Sequence, residues 1–481
     1  MKKNFWEGYV APGRVFGNLY FVGTRPASTH VLATEEGLIV IDPGYPEALD
    51  TVLENMRAVG LDPMQTRIIL CSHGHYDHAG AVLPLKELTG AKTYVGKGDF
   101  DMVAKGIRTW AEELGTEYHE AFTPDVLLED GDHVTLGGAD ILCLSTPGHT
   151  AGTLSFFFDV SDGEKTYRAG MHGGVGLNTL NKKYMKDNGI PEEMRERFLA
   201  GIERLKGERV EIFLGNHVPN NDTAGKLAKV AAGDKDAFIR PEEWIPFLES
   251  RASALRDLIA KEEREAETVR IIADEKIVMI VRGVPAEQMI PLAEAMYRGG
   301  VRVMECTYDA TGKTPDTEIA ATIGRLAKHF AGRMLIGAGT VIRPDQVDLT
   351  ASVGGRFVVS PDTSTAVIKR TKALGLASLP GALTPSEATT AHRAGADFVK
   401  LFPISNMGAS YLKAIRAPLS HIKFLAVGGV RLENMADYLA VGAAGFGIGV
   451  TDADKKALAE GNYAAIEEKC RAYVSLAKGN A

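Results

Sequence analysis

The sequence predicts a mixed α/β chain of two domains, the second of them a (β/α)8 barrel. Three observations carry this reading. At 481 residues the chain exceeds one ordinary core. Nine of its twelve histidines fall before residue 220. From about residue 270 onward, short apolar runs alternate with helix-like segments eight times. The expected division is residues 1–240, a connecting helix over 241–269, and the barrel over 270–481.

The composition, 45% hydrophobic and 24% charged, is that of a globular chain that can bury large cores. A formal net charge of -8, with no Lys/Arg cluster of the kind that tracks phosphates, argues against nucleic acid or an anionic membrane surface as partner. Small molecules are the expected partners. The N-terminal Met1-Lys2-Lys3-Asn4-Phe5-Trp6-Glu7-Gly8 has no apolar stretch after its lysines, and no run reaches membrane-spanning length, so a cytoplasmic protein is expected. Cys71, Cys143, Cys306 and Cys470 are scattered without metal-type pairing, as structural thiols in a reducing compartment would be.

In the first domain, segments 29–33, 37–41, 67–71, 92–95, 141–144 and 153–158 read as strands, with a helical pattern over 47–59. After the apolar run Ile68-Ile69-Leu70 comes Cys71-Ser72-His73-Gly74-His75-Tyr76-Asp77-His78-Ala79-Gly80. A Gly-bearing turn at a strand end aims these side chains into one cleft, and imidazole with carboxylate is a ligand set suited to zinc. Two more strand ends carry histidine, in Thr146-Pro147-Gly148-His149 and Gly215-Asn216-His217. Together these positions make two three-ligand sets.

This pattern, with the Asp42-Pro43-Gly44 turn, resembles the metallo-β-lactamase fold superfamily and its αββα sandwich over roughly residues 10–240. The resemblance implies His73, His75 and His149 around one metal and Asp77, His78 and His217 around a second. It also implies a hydrolase of lactone, ester, amide or thioester substrates, with Asp77 orienting a nucleophilic hydroxide. One departure stands in Ala169-Gly170-Met171-His172, where many relatives carry a bridging aspartate and Met171 cannot bridge. Fewer hard oxygen ligands favour zinc over manganese or iron for the two divalent ions. His172 is expected to line the pocket.

Residues 241–267 then show helical spacing of Trp244, Phe247, Leu248, Leu255, Leu258 and Ile259. The eight barrel runs follow at 277–281, 302–306, 334–336, 356–359, 377–379, 397–401, 422–427 and 443–448. Lys400 and Glu305 each interrupt one of them, and an ionisable group inside an apolar strand is costly unless its pKa moves or a partner is present. The pair is either a buried ion pair or a desolvated Schiff-base lysine with its proton shuttle.

The ordered segments Val281-Arg282-Gly283, Met304-Glu305-Cys306-Thr307, Gly337-Ala338-Gly339-Thr340, Leu379-Pro380-Gly381, Val399-Lys400-Leu401-Phe402-Pro403 and Val427-Gly428-Gly429-Val430 look like the 2-keto-3-deoxy-6-phosphogluconate/galactonate aldolase family over roughly 270–478. The resemblance implies that Lys400 forms an imine with the keto acid and that Glu305 moves protons through water. Arg282 and Thr340 would lie beside the pyruvate carboxylate, with Pro380, Gly428 and Gly429 also lining the site. No metal or other cofactor is implied there. Asp309 stands where the phosphogluconate branch has an anion-binding Arg, and Gly449-Val450 replaces a phosphate-loop Gly-Ser. An Asp repels phosphate but accepts from sugar hydroxyls.

The expectation is therefore a bifunctional enzyme, a binuclear metallohydrolase fused to a class I aldolase that releases pyruvate. Because barrels of this family are commonly trimers, a homotrimer is expected. Met171, Asp309 and Val450 fit a different class, a metabolite-binding or regulatory protein with one or both sites inactive.

Overall fold

In the computed structural model residues 8–106 and 120–479 are described; the segment read above for a leader lies largely outside them. The chain divides into two compact units, one up to Leu258 and one from Ile259. The division falls within one long helix, Trp244–Glu275, which runs past the charged stretch at 261–265. Among the described residues no helix is long and apolar enough to cross a membrane.

The first unit is a pair of sheets between helices. Strands β1 Gly13–Phe16, β2 Leu19–Phe21, β3 His30–Thr34, β4 Gly37–Ile41, β5 Thr66–Leu70, β6 Lys92–Gly96 and β7 Val126–Leu128 form one sheet in sequence order. Strands β8 Asp132–Leu136, β9 Ala139–Ser145, β10 Leu154–Ser161, β11 Thr166–Met171 and β12 Ile212–Leu214 form the other, in the order β12-β11-β10-β9-β8. Alternation along β4 shows how the layers arise. Ile39 and Ile41 face the second sheet, joining a core with Phe156, Phe158 and Leu214. Leu38 and Val40 face the opposite way, against Val52, Leu53 and Met56 of helix Leu49–Ala58. The outer face of the second sheet is closed by Phe198 of helix Glu193–Leu205 and by Trp244, whose ring meets Phe157 at 6.0 Å and Phe213 at 5.4 Å.

The six expected strands of this unit are all present, within two or three residues at most ends. β12 is the strand expected ahead of His217, whereas β1, β2, β7, β8 and β11 were not anticipated. Short strands of mixed polarity, such as Asp132–Leu136, lack the continuous apolar run that marks a strand buried on both faces.

The second unit is a barrel of parallel strands: β13 Ile277–Val281, β14 Val303–Thr307, β15 Leu335–Gly339, β16 Phe357–Val359, β17 Ala377–Leu379, β18 Gly381–Ala382, β19 Val399–Leu401, β20 Phe424–Val427 and β21 Gly445–Gly449. The hydrogen-bonded order runs from β17 through β13 and β21 to β18. β17 and β18 are one strand split by Pro380, which has no N–H for the ladder. Counted that way, the eight expected runs are the eight barrel strands. Val278, Val303, Leu335, Phe357, Ala377, Phe398 and Leu425 fill the interior, and Ile272 from the end of the long helix packs among them as a plug.

Replacing that plug tests the assignment. Ile272 is 1% exposed, so Ile272→Ala should destabilise the barrel by about 2–5 kcal/mol. Denaturant titration with a barrel-specific probe should show the lowered midpoint, and an unchanged midpoint would mean that the helix end is dispensable.

Candidate active sites

The histidine-rich centre of the first unit is built where strands end. β5 stops at Leu70, and the following turn presents His73 and His75 before the short helix Tyr76–Ala79 carries Asp77 and His78. His149 arrives from the end of β9 and His217 from the end of β12. All six expected ligands converge. His73, His75 and His149 offer nitrogens within 4.8 Å of one another, and the nitrogens of His73 and His78 lie equally close to an Asp77 carboxylate oxygen. His217 Nε2 lies 3.4 Å from His78 Nε2 and 3.7 Å from Asp77 Oδ2.

Each ring is aimed by a partner on its far side. His78 Nδ1 meets Asp42 Oδ2 at 2.8 Å, His149 Nδ1 meets the Gly176 carbonyl at 2.8 Å, and His217 Nδ1 meets the Pro26 carbonyl. The other ring nitrogens are thereby turned inward. Asp42 also accepts from the Ser72 N–H at 2.7 Å and the Ser72 hydroxyl at 2.6 Å, which fixes the turn at its first residue. Asp42 itself sits at φ 53° at the end of β4. Asp99 ties the two histidine loops together, accepting from Gly74 N–H, Thr150 Oγ1 and Gly152 N–H at 2.7–2.8 Å.

Burial pushes His73 and His75 well below the ordinary imidazole range, neighbouring imidazoles add to the effect, and His149 falls to about 4 for the same first reason. These rings are neutral, as ligands must be. Burial alone would lower His78 too, but Asp77 and Asp42 on either side raise it to about 10. His73 Nε2 is buried and has no hydrogen-bond partner among the described residues. An orphaned imidazole nitrogen amid five other donors fits a cation and fits little else. Above the centre is a hollow of about 260 Å³ lined by Tyr45, Tyr76, Asn178 and four of the ligands.

Met171 is buried in the core between the sheets, paired in register with Leu214 and Phe156. His172 takes the Gly174 N–H on Nδ1 at 3.2 Å and stands outside both ligand groups. Asp42, Asp99, Tyr45 and Asn178 were not singled out as site residues. Asp42 left a signal, a charge closing an apolar strand; Asp99, Tyr45 and Asn178 lie in ordinary sequence and left none.

In the barrel the interior alternation that places Val303 and Phe398 inside also places Glu305 and Lys400 inside, two residues nearer the C-terminal mouth. Burial raises Glu305 to about 7, against the opposing pull of Lys400 and Arg282. Burial also lowers Lys400, with Glu305 opposing and Arg282 reinforcing. Burial thus shifts both groups toward their uncharged forms, and one Glu305 oxygen has no partner among the described residues. Lys400 Nζ rides 4.6 Å over the Phe402 ring, and its backbone N–H donates to the Pro380 carbonyl at 2.8 Å. Arg282 Nη2 donates to Thr340 Oγ1 at 2.9 Å, Thr340 itself lying at φ 56°.

Two glycines make room. A Cβ on Gly339 would stand 2.3 Å from Glu305 Oε1, and one on Gly429, at φ 78°, would stand 2.6 Å from Ser405 Cβ. A Cβ on Gly428, at φ 90°, would stand 3.2 Å from the Phe402 ring. Asp309 is half-buried and closes its own loop: its Oδ1 accepts from Thr311 N–H and hydroxyl, its Oδ2 from Thr314 N–H.

Comparison with known proteins agrees with both geometries. Residues 269–469 match the sequence profile of the KDPG and KHG aldolases. Over 174 residues the chain is 36% identical to the 2-dehydro-3-deoxy-6-phosphogalactonate aldolase of Escherichia coli, covering 36% of this chain and 82% of that protein. The chain belongs to the KDPG and KHG aldolase family. A second relative, the 2-dehydro-3-deoxy-phosphogluconate aldolase of Treponema pallidum, is 30% identical over 166 residues, 34% of this chain and 76% of that protein. Ahead of the aldolase part, residues 22–162 match the metallo-beta-lactamase superfamily. The native FEZ-1 metallo-beta-lactamase of Legionella gormanii superposes with a TM-score of 0.50 at 29% identity, over 53% of this chain and 98% of that one. BJP-1, a subclass B3 metallo-beta-lactamase of Bradyrhizobium japonicum, gives 0.50 at 25% identity over 54% and 98%. The chain is thus a lyase-family aldolase fused to a metallohydrolase fold.

Gly339→Ala should displace the Glu305 carboxylate and abolish detectable proton exchange at pyruvate C3 while the barrel stays folded by circular dichroism. Asp42→Asn, which keeps the shape but weakens the His78 contact, should lower metal affinity of the histidine centre about 10–100-fold, read by competition with a chelating dye.

Proposed function

We propose that the protein is bifunctional, a class I aldolase cleaving a 2-keto-3-deoxy sugar acid to pyruvate and an aldehyde, joined to a two-metal hydrolase acting on a lactone- or ester-type bond. The observation that carries the aldolase half is the burial of Lys400 beside Glu305 inside the strands of the barrel.

Uncharged Lys400 Nζ attacks the C2 carbonyl of the keto acid, and loss of water leaves a protonated imine. Arg282, with Thr340, holds the carboxylate. As the C3–C4 bond breaks toward the imine, the C4 hydroxyl gives its proton through water to Glu305, the aldehyde departs, and Glu305 returns a proton through water to C3 of the resulting enamine. A group near neutrality at pH 7 serves both directions of that transfer. Hydrolysis of the imine frees pyruvate.

In the first unit His73, His75 and His149 would hold one divalent ion and Asp77, His78 and His217 the other, with zinc the best match to five imidazoles and one carboxylate. Bound there, the ions would supply Lewis-acid polarisation of a substrate acyl group. Asp77 and Asp42, which flank His78, are the charges that a cation would take over from its proton. Tyr45, Tyr76 and Asn178 offer hydroxyl and amide groups to the substrate. A lactone of a sugar acid matches this lining and yields the carboxylate type that the barrel uses.

The far end of the aldol substrate reads as unphosphorylated. The helix Asp452–Ala459 that follows Gly449-Val450 begins with a Thr451–Asp454 capping box, in which Asp454 accepts from Thr451 N–H at 2.7 Å. An acid thus fills the helix N-terminus where a phosphate would otherwise be drawn. The preferred substrate should be the unphosphorylated keto acid by kcat/KM; equal rates on the phosphorylated form would remove this reading.

Borohydride should trap pyruvate on the wild-type chain and not on Lys400→Ala. Glu305→Gln should still trap it but slow C3 proton exchange about 10²–10⁴-fold. Wild-type exchange should fall below about pH 7, where Glu305 takes up its proton, and the variant should lose that inflection. Metal analysis with a lactone, ester and thioester panel tests the hydrolase half: about two ions per chain and lactone turnover are expected, and metal-loaded protein inert on all three would refute it.

A further inference from the structure

A second cavity of the barrel lies at the opposite end from Lys400, where the strands begin. It encloses about 560 Å³, more than twice the hollow over the histidine centre. Three consecutive β/α units each bring an arginine to it at nearly the same step. Arg302 immediately precedes β14, Arg333 stands two residues before β15, and Arg356 immediately precedes β16.

These guanidinium groups are held by oxygens of the chain itself. Arg302 Nη1 donates to the Tyr297 and Val301 carbonyls at 2.9 and 2.8 Å, and its plane lies 4.2 Å from the Tyr297 ring centroid. Arg333 approaches the same ring at 5.2 Å while Nη2 donates to the His329 carbonyl at 2.8 Å. Arg356 donates to Thr268 Oγ1 and the Arg264 carbonyl.

The carboxylates nearby pair with groups other than Arg302, one of them with Arg356 inside the cavity. Glu267 pairs with Arg356 at 2.8 Å and Glu275 with Lys478 at 2.9 Å. Glu294 faces His329 at 2.6 Å and reaches Arg333 only at 3.5 Å. Among the described residues no carboxylate pairs with Arg302, and its Nε and Nη2 make no hydrogen bond. That edge of a guanidinium is the one that grips a carboxylate or phosphate with two parallel bonds. Because carbonyls already fix its plane, little side-chain freedom remains to be lost on binding. The facing wall is apolar, from Ile271, Ala327, Met334 and Ile336.

We propose that this cavity is a binding site for a small anionic metabolite, a carboxylate or phosphate on an apolar or flat body, with the acid group between Arg302 and Arg333. It is separate from the aldol site, since the residues forming the two lie at opposite ends of the same strands. β14 and β15, which begin beside these arginines, end at Glu305 and Gly339. An occupant would therefore touch the two strands that shape the proton shuttle.

The test uses the full-length protein with Lys400 first blocked by pyruvate and borohydride. Calorimetric titration compares phenyl phosphate, benzoate and inorganic phosphate. Phenyl phosphate or benzoate should bind about tenfold or more tightly than inorganic phosphate, and whichever is tighter identifies the acid group. Arg302→Gln/Arg333→Gln should weaken that binding at least about tenfold with pyruvate trapping unchanged. Should the double variant fold poorly, Arg302→Lys, which keeps the charge but loses the two-pronged edge, should show the same weakening. Binding that is equal in wild type and variants, or absent for all three probes, overturns the proposal.

Discussion

A buried ionisable group persists only where something offsets its desolvation, and both centres of this chain are arranged around that constraint. In the first unit the offset comes from outside the ring of ligands. Asp42 holds His78 from behind and pins the Ser72 turn, while Asp99 draws the His73–His78 loop and the His149 loop onto one carboxylate. In the barrel burial moves the two groups toward their uncharged forms, Glu305 up to about 7 and Lys400 down, while each charge pulls the other back. The same physics thus yields, on the proposed reading, a ligand cage in one place and a nucleophile with its proton carrier in the other.

The strand ends make this arrangement available. Inside a strand the neighbours on each side are fixed by the pleat, so a polar residue is surrounded by apolar ones; at the C-terminal end the backbone leaves the sheet and its side chains face a cleft. His73, His149 and His217 leave their sheets in this way. Lys400 and Glu305 remain within their strands, but the glycines of the neighbouring strand open space for them, and Gly339 in particular lies where any side chain would strike Glu305.

What the sequence made legible follows from the same distinction. The barrel strands were readable because each is buried on both faces and spells a continuous apolar run, and Lys400 and Glu305 were readable as interruptions of such runs. The histidine positions were readable because four donors fall within six residues. The antiparallel strands β1, β2 and β8 carry no such run. Asp99 and Tyr45 reach the centre through tertiary contacts formed across tens of residues, which no local spacing encodes. The long helix was legible as amphipathic and, expected over 241–269, lies at Trp244–Glu275; its charges at 261–265 serve as barrel contacts within it, since Glu265 meets Lys372 and Lys261 meets the Ala373 carbonyl.

The two departures at the distal end of the aldol site are best understood together. Asp309 replaces a cation with an acid, but both of its oxygens are used in closing the 309–314 loop, so the exchange reshapes the loop as well as removing a charge. Asp454 independently fills the helix N-terminus after β21 and is anchored there by Lys469 at 2.6 Å. Either change alone weakens attraction for a phosphate, and both act in the same direction even with Lys469 offsetting the Asp454 charge. The pyruvate end keeps Arg282 on Thr340 and keeps Lys400 buried. Bond cleavage depends on that end alone, since the electrons of the breaking bond flow toward the imine, so the aldehyde half can change without loss of the chemistry. On the proposed reading the chain is an aldolase altered in the half of its substrate that it selects, with the half that it activates left intact.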